Sequence, residues 1–585
     1  MKKRAATLLS RIWNPEIPLF GVGLMAAAVI CLLTAVIVWS TFLKGLPGFS
    51  APFTLDNYTD VFFYPVTPQA LRNTLILGFG TVAVAIFFAL PAAWLLHRTN
   101  VPFKKFFLTL MFLHVLLPGF LRVMGWIMLI SPEIGIINQW IRIFISIEEG
   151  PLSPYNLTFM AFLQGLSLTP TLFFMLAGAF LAIDPSFEES SEVCGASRVQ
   201  SLRRIALPLV MPALVAGAIY VFMTAISMFE VPALLGKPLN INVFSTLMYS
   251  AVYPYEGLPN YGIAGVYGVM LLIPTLVALR YYQRMLKLSH RFATVTGKGY
   301  RPKLTPLGRW QWAATGFILF YYAIDLFLPF FSVLWTSLVP RLQVPSISAM
   351  ETVSLAGYKA AIRIIGQGGV LANTLQLVLT TGVLSVFIGL IISWSVLRTR
   401  LPGRYLLDTI AMLPHAVPGM AFAFSVAFVS LLLAQTVPLY GSVSAIALAD
   451  AMRRIPFATR TISTSLIQIH PELEEAVQIS GGSRVVAIRK VLIPLITPSL
   501  FYSFIWAVLH AYREVTMALF LQSPRNLVMA TAIWQRWQTD DTSSAAAIGV
   551  IMVLGMGVVI FALLWAFPQV FGAMRRGHIR NEKNK

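Results

Sequence analysis

Two stretches of the chain read alike: DPSFEESSEVCGASRVQSLRRIALP at residues 184–208 and HPELEEAVQISGGSRVVAIRKVLIP at residues 470–494. In each, a proline is followed by acids within one turn, Glu188 and Glu189 in the first stretch and Glu474 and Glu475 in the second. Proline suits the first helical position, and acids there face the positive end of the helix dipole. Gly195 and Gly481 then allow the left-handed exit that stops a short helix. Ser197 and Ser483 are placed to cap a second short helix. Its basic residues sit toward its negative end, and Pro208 or Pro494 is expected to break it. Each stretch therefore predicts a helix, a turn and a helix.

The two loops belong to a larger duplication. Asn73-Thr74-Leu75 recurs as Asn373-Thr374-Leu375, Arg98-Thr99 as Arg398-Thr399, and Pro118-Gly119 as Pro418-Gly419, each 300 residues apart. From Pro185 and Pro471 onward the spacing drops to 286, carrying Gly195 onto Gly481 and Pro208 onto Pro494. The first copy therefore holds fourteen additional residues, placed most economically between Ser131 and Asn156, where loop length varies at least cost. The expected domains are a first repeat at 1–285 with its loop at 184–207, a linker at 286–309, and a second repeat at 310–585 with its loop at 470–493.

Around these loops the chain is apolar. Of its 585 residues 57% are hydrophobic and 11% charged, with mean hydropathy +0.76, whereas soluble domains carry about 25% charged residues. Runs such as Phe20–Phe42, Leu75–Leu96 and Ala545–Phe567 are long enough to cross a bilayer as helix. Phe20–Phe42 is too long for a typical signal core and is expected to be a retained first helix. No alternating strands of a barrel are present, so the expected class is all-α, with about twelve spans in two parallel six-helix repeats. The net charge of +20 lies in alternate connections, including Lys2–Arg11, Arg198–Arg204, Arg280–Arg309, Arg484–Lys490 and Arg575–Arg580. The positive-inside rule places these loops and both termini in the cytoplasm, and accounts for the charge without nucleic-acid binding. Cys31 and Cys194 are too isolated to form a disulfide framework or a cysteine metal site.

With Glu474-Glu475-Ala476, Gly481 and Ile493-Pro494, the second loop resembles the Glu-Ala-Ala loop of permease subunits of binding-protein-dependent ABC importers. The first loop departs by placing Ser190-Ser191 after its acids but keeps Gly195 and Ile205-Ala206-Leu207-Pro208. The resemblance implies the type I importer membrane fold in a bacterial inner membrane. It also implies two copies of an ATPase subunit docked on the loops, a periplasmic or lipid-anchored solute-binding protein, and contact with membrane lipid. The chain has no Gly-x-x-x-x-Gly-Lys-Ser/Thr phosphate loop. It is accordingly expected to be no enzyme and to hold no cofactor of its own, ATP and magnesium being bound by the partner.

The segments Phe229–Gly236 and Arg513-Glu514-Val515-Thr516 resemble fused permeases of the ferric-iron group. That resemblance implies ferric iron as cargo, with thiamine, phosphonate, polyamine or phosphorylated small molecules as alternatives in the same class. A secondary transporter without an ATPase would explain the duplication but not the paired loops. Ionisable residues within spans point to a pathway because each is costly in lipid. The candidates are His114, Glu230, His415, Arg453, Arg454, Arg513 and Glu514, with Asp325, Asp450 and His510 beside them. They either line a central cavity or pair with one another, for instance Asp450 with Arg453. No metal site is assigned, since tight coordination would impede release.

Overall fold

A computed structural model of the chain describes residues 16–47, 52–114, 117–289, 304–367 and 369–566. The first half runs α1 (Glu16–Ser40), α2 (Val66–Arg98), α3 (Lys104–Leu113), α4 (Gly119–Ile130) and α5 (Ile136–Ile145), then α6 (Leu157–Ala182), α7 (Pro185–Val193), α8 (Leu202–Ser227) and α9 (Tyr261–Ser289). The second half runs α10 (Trp310–Leu338), α11 (Val370–Arg398), α12 (Arg404–His415) and α13 (Gly419–Leu432), then α14 (Val443–Ile467), α15 (Glu472–Ile479), α16 (Arg484–Tyr512) and α17 (Thr542–Ala566). The terminal basic clusters and most of the expected linker, including Gly297 and Pro302, lie outside the described residues.

Among the described residues nine helices are long and apolar enough to cross a membrane, or ten if the bent pair α12–α13 is one span. The remaining expected places are filled differently. The pair α12–α13 turns by 104° ahead of Gly419, with Val417 extended before Pro418, the conformation that a following proline favours. Helices α3 and α4 occupy the matching place in the first half. Helix α14 has a span's length at 25 residues, but Asp450, Arg453, Arg454 and Arg460 make it too charged to be recognised by hydropathy.

One expectation is corrected. Pro208 and Pro494 do not break the helix after each loop: α8 and α16 run on through them. Just before each proline the backbone widens by a residue, so Leu207 N–H reaches the Leu202 carbonyl and Ile493 N–H reaches that of Ile488. Each proline then falls at the start of a fresh α-helical stretch, where its missing N–H is tolerated. The second helix of each loop is therefore the end of the next span.

The halves exchange their first spans. Helix α1 packs on α11, α12 and α13 of the second half as well as on α9 of its own. Helix α10 packs on α4 of the first half and on α17 of its own. The α4–α10 crossing is tight: a Cβ on Gly125 would stand 2.7 Å from the Pro329 Cα and closer still to its carbonyl oxygen. Trp126 Nε1–H donates across the same crossing to the Ile324 carbonyl at 3.1 Å. Gly125→Ala should lower stability by about 1–3 kcal/mol through overpacking, seen as an earlier melt in detergent. Gly178→Ala, whose Cβ would meet nothing within 4 Å, should show no such loss.

Candidate functional site

Both loops form the expected short helices and close them in the same way. Gly195 and Gly481 adopt φ of +83° and +82°. Ala196 N–H returns to the Ser191 carbonyl at 3.0 Å, and Gly482 N–H to that of Val477 at 2.8 Å. These are the five-residue closures of a glycine-terminated helix. Ser483 Oγ accepts from Val486 N–H, and Ser197 Oγ from Gln200 N–H, each at 3.4 Å. The first loop adds a reciprocal bond at 2.8 Å from Ser197 N–H to Gln200 Oε1.

Within the second loop the two acids part company: Glu475 is exposed, and Glu474 turns inward. Arg398 Nε lies 2.8 Å from Glu474 Oε1. Its Nη2 donates to the Leu466 and Ile469 carbonyls at 2.9 and 2.7 Å. Burial pushes the Glu474 carboxyl above its ordinary value, against the opposing pull of Arg398. In the first half Arg98 Nη1 donates to the Ile183 carbonyl, the counterpart of Ile469, at 3.3 Å. Glu189 is half-buried, and the Glu188 side chain lies outside the described set. The 300-residue repetition of Arg98 as Arg398 was the sequence signal for this tie, which sequence reasoning did not carry to the loops. Sequence reasoning also passed over Phe187 and Val193, and their counterparts Leu473 and Ile479, which stand 45%, 88%, 47% and 88% exposed on the loop helices.

Deeper in the bundle the candidate ionisable residues form two unlike groups. In the first, His114 Nδ1 stands 2.6 Å from Asp325 Oδ2, and Arg122 Nε 2.9 Å from Asp325 Oδ1. Arg122 also donates to Ser167 Oγ at 2.8 Å, and Tyr321 Oη–H to Asp325 Oδ2 at 3.3 Å. Asp325 lies on α10, so this group joins the halves. Arg122 was missed from sequence, though a lone arginine in the apolar run 119–130 marks it. In the second group, Arg454 Nη2 bridges Asp450 Oδ1 at 2.7 Å and Glu514 Oε2 at 3.1 Å. The expected partner of Asp450, Arg453, is displaced by Arg454 because the i,i+4 geometry on α14 meets the carboxylate directly.

Two of the remaining candidates stand against the two Pro-Gly bends, which face opposite charges. A Cβ on Gly119 would stand 2.7 Å from Glu230 Oε2, whereas Gly419 abuts the Arg453 guanidinium. Half-buried Glu230, Glu514 and Arg513 are close enough to interact electrostatically. His114 and His415, alike in sequence position, differ in surroundings: His415 stacks on Tyr220 at 5.0 Å between ring centroids. His510 Nδ1 lies 2.9 Å from the Trp506 carbonyl. Among the described residues no three His, Cys, Asp or Glu side chains are grouped to hold a metal ion.

The same duplication appears in comparison with known proteins. The family described as "Binding-protein-dependent transport system inner membrane component" matches twice, over residues 71–287 and 385–570. A ferric transport system permease protein of Actinobacillus pleuropneumoniae is 27% identical over 510 residues, covering 85% of this chain and 71% of that protein. An Fe(3+)-transport system permease protein of Haemophilus influenzae is 23% identical over 514 residues, covering 87% and 92%. A sulfate transport system permease protein of Salmonella typhimurium is 32% identical over 186 residues, covering 30% and 67%. Twin loops, twin helical halves and a family match that falls on each half agree, and the chain belongs to the inner membrane components of binding-protein-dependent transport systems.

Proposed function

We propose that this multi-pass permease forms the path of an ABC importer for ferric iron, driven by two copies of an ATP-hydrolysing subunit on its two loops. The observation that carries the coupling role is the matched surface of the loop helices. Phe187 and Val193 on one, and Leu473 and Ile479 on the other, occupy equivalent positions and leave apolar area in water. Acids flank these residues, and a Cβ at Gly195 or Gly481 would meet nothing of this chain within 4 Å. Such a surface suits insertion into a groove on a partner. ATP and magnesium belong to that partner, both termini of this chain lie with the basic loops in the cytoplasm, and a periplasmic or lipid-anchored binding protein delivers cargo opposite. ATP binding draws the loops together and opens the path outward; hydrolysis resets it.

Ferric iron is favoured as cargo because the relatives that match most of the chain carry that name, while the sulfate relative matches 30% of it. Glu230, Arg453, Arg513 and Glu514 place both signs of charge around the Pro-Gly bends. Mixed charge at the centre suits weak contact with a passing metal complex rather than capture. In vesicles holding this chain with its ATPase and binding protein, radiolabelled iron should accumulate on ATP addition while sulfate and spermidine should not. Uptake of either in place of iron would overturn the cargo assignment.

The docking assignment has its own test. In Gly195→Val/Gly481→Val a β-branched residue must hold positive φ at a strain of about 1–2 kcal/mol per site. It also fills the open side of each helix end. ATPase co-purification and uptake should both be lost while membrane insertion persists. Unchanged co-purification and uptake would refute docking at these loops.

A further inference from the structure

We propose that α5 is a membrane-interface helix that rests its apolar face on lipid at the boundary opposite the basic loops. It has ten residues, about 15 Å of helix, and is too short to span. It falls in the stretch the first half carries in excess, where the second half has only a short link between Leu432 and Val443.

Its amphipathicity is turned outward. Trp140, Ile143, Phe144 and Ile145 are 47%, 71%, 86% and 65% exposed, while the polar Asn138 is fully buried. A helix packed on a protein surrounded by water does the reverse. The buried asparagine holds this orientation. Its Nδ2 donates to the Ile130, Ser131 and Leu152 carbonyls at 2.9, 3.0 and 2.7 Å, and its Oδ1 accepts from Leu152 N–H at 3.1 Å. Gly150 closes over it, since a Cβ there would stand 2.5 Å from Asn138 Cγ.

These bonds also set the depth. Ile130 ends α4, so the first turn of α5 is tied to the level at which a membrane element stops. Tryptophan is enriched there because its ring is apolar and its N–H can reach water. Glu148 and Glu149 follow at once and are exposed, as the return to water requires. A docked protein fits less well: interfaces that form and dissolve are about as polar as ordinary surface, whereas Trp140, Ile143, Phe144 and Ile145 offer between them one side-chain hydrogen-bonding group, the Trp140 N–H. The placement depends on the chain spanning a membrane, not on its cargo or its ATPase.

Nitroxide accessibility tests it. Phe144→Cys, Ile143→Cys and Glu148→Cys are each made in the full chain carrying Cys31→Ala and Cys194→Ala, spin-labelled, and placed in phosphatidylethanolamine–phosphatidylglycerol nanodiscs. At 143 and 144 collision with oxygen should exceed collision with a water-soluble nickel chelate several-fold, and at 148 the order should reverse. Equal nickel access at 143, 144 and 148 would overturn the proposal. So would protection at 143 and 144 that appears only when the binding protein is added, which would assign the face to that protein. The two neighbouring labels check one another, and neither site is packed in the core.

Discussion

Arg122→Leu should destabilise the protein by about 3–5 kcal/mol, the cost of leaving a buried charge without its partner. Arg122 and Asp325 are 2% and 0% exposed, and they meet across the joint between α4 of one half and α10 of the other. Asp325→Leu should cost a similar amount, because it strands the guanidinium and removes the acceptor of His114 and Tyr321. The double variant should recover the part of the loss that comes from the stranded charge, while His114 and Tyr321 stay without their acceptor. Melting curves in one detergent, combined as a double-mutant cycle, measure this directly. Additive losses would show that the two residues act separately. All four proteins are melted at one scan rate, so that any kinetic contribution to the midpoint is shared.

The second large effect lies at the other end of the molecule. Arg398→Ala should reduce transport at least ten-fold while the ATPase remains bound and its basal hydrolysis continues. One guanidinium holds Glu474 of the loop helix and the carbonyls of Leu466 and Ile469, which lead into that helix, and so ties the loop to the end of α11. Each lost bond to a charged group is worth about 1.5–3 kcal/mol, enough to let the loop move without the span. Arg398→Lys keeps the charge but not the fork, and should fall between wild type and alanine. Uptake and ATPase stimulation by cargo-loaded binding protein are measured together. Loss of both along with ATPase co-purification would mean that Arg398 maintains the docking surface itself.

Much of the architecture was readable from local pattern. Spans, loop helices, caps and repeat spacing depend on residues within a turn or two of one another, as Gly481 and the Gly482-to-Val477 closure show. The failures came where local rules compete. Pro208 and Pro494 were read as breakers because proline cannot donate, yet one widened turn before each removes the demand for a donor. Helix α14, one of the twelve expected spans, fails a hydropathy criterion because it carries four charges; Arg454 is met by Asp450 one turn away and by Glu514 from beyond the helix.

What the sequence by itself determined is the all-α membrane class, the duplication and the two loops, all properties of periodicity and short-range capping. What only the tertiary structure decided is which charges meet. His114 finds Asp325 at a separation of 211 residues, and Arg454 reaches Glu514 at a separation of 60. Sequence-equivalent bends at Gly119 and Gly419 come to face an acid and a guanidinium. A buried charge must be matched within a few ångströms, and for Asp325 the match depends on the exchange of first spans between the halves, which no local pattern encodes.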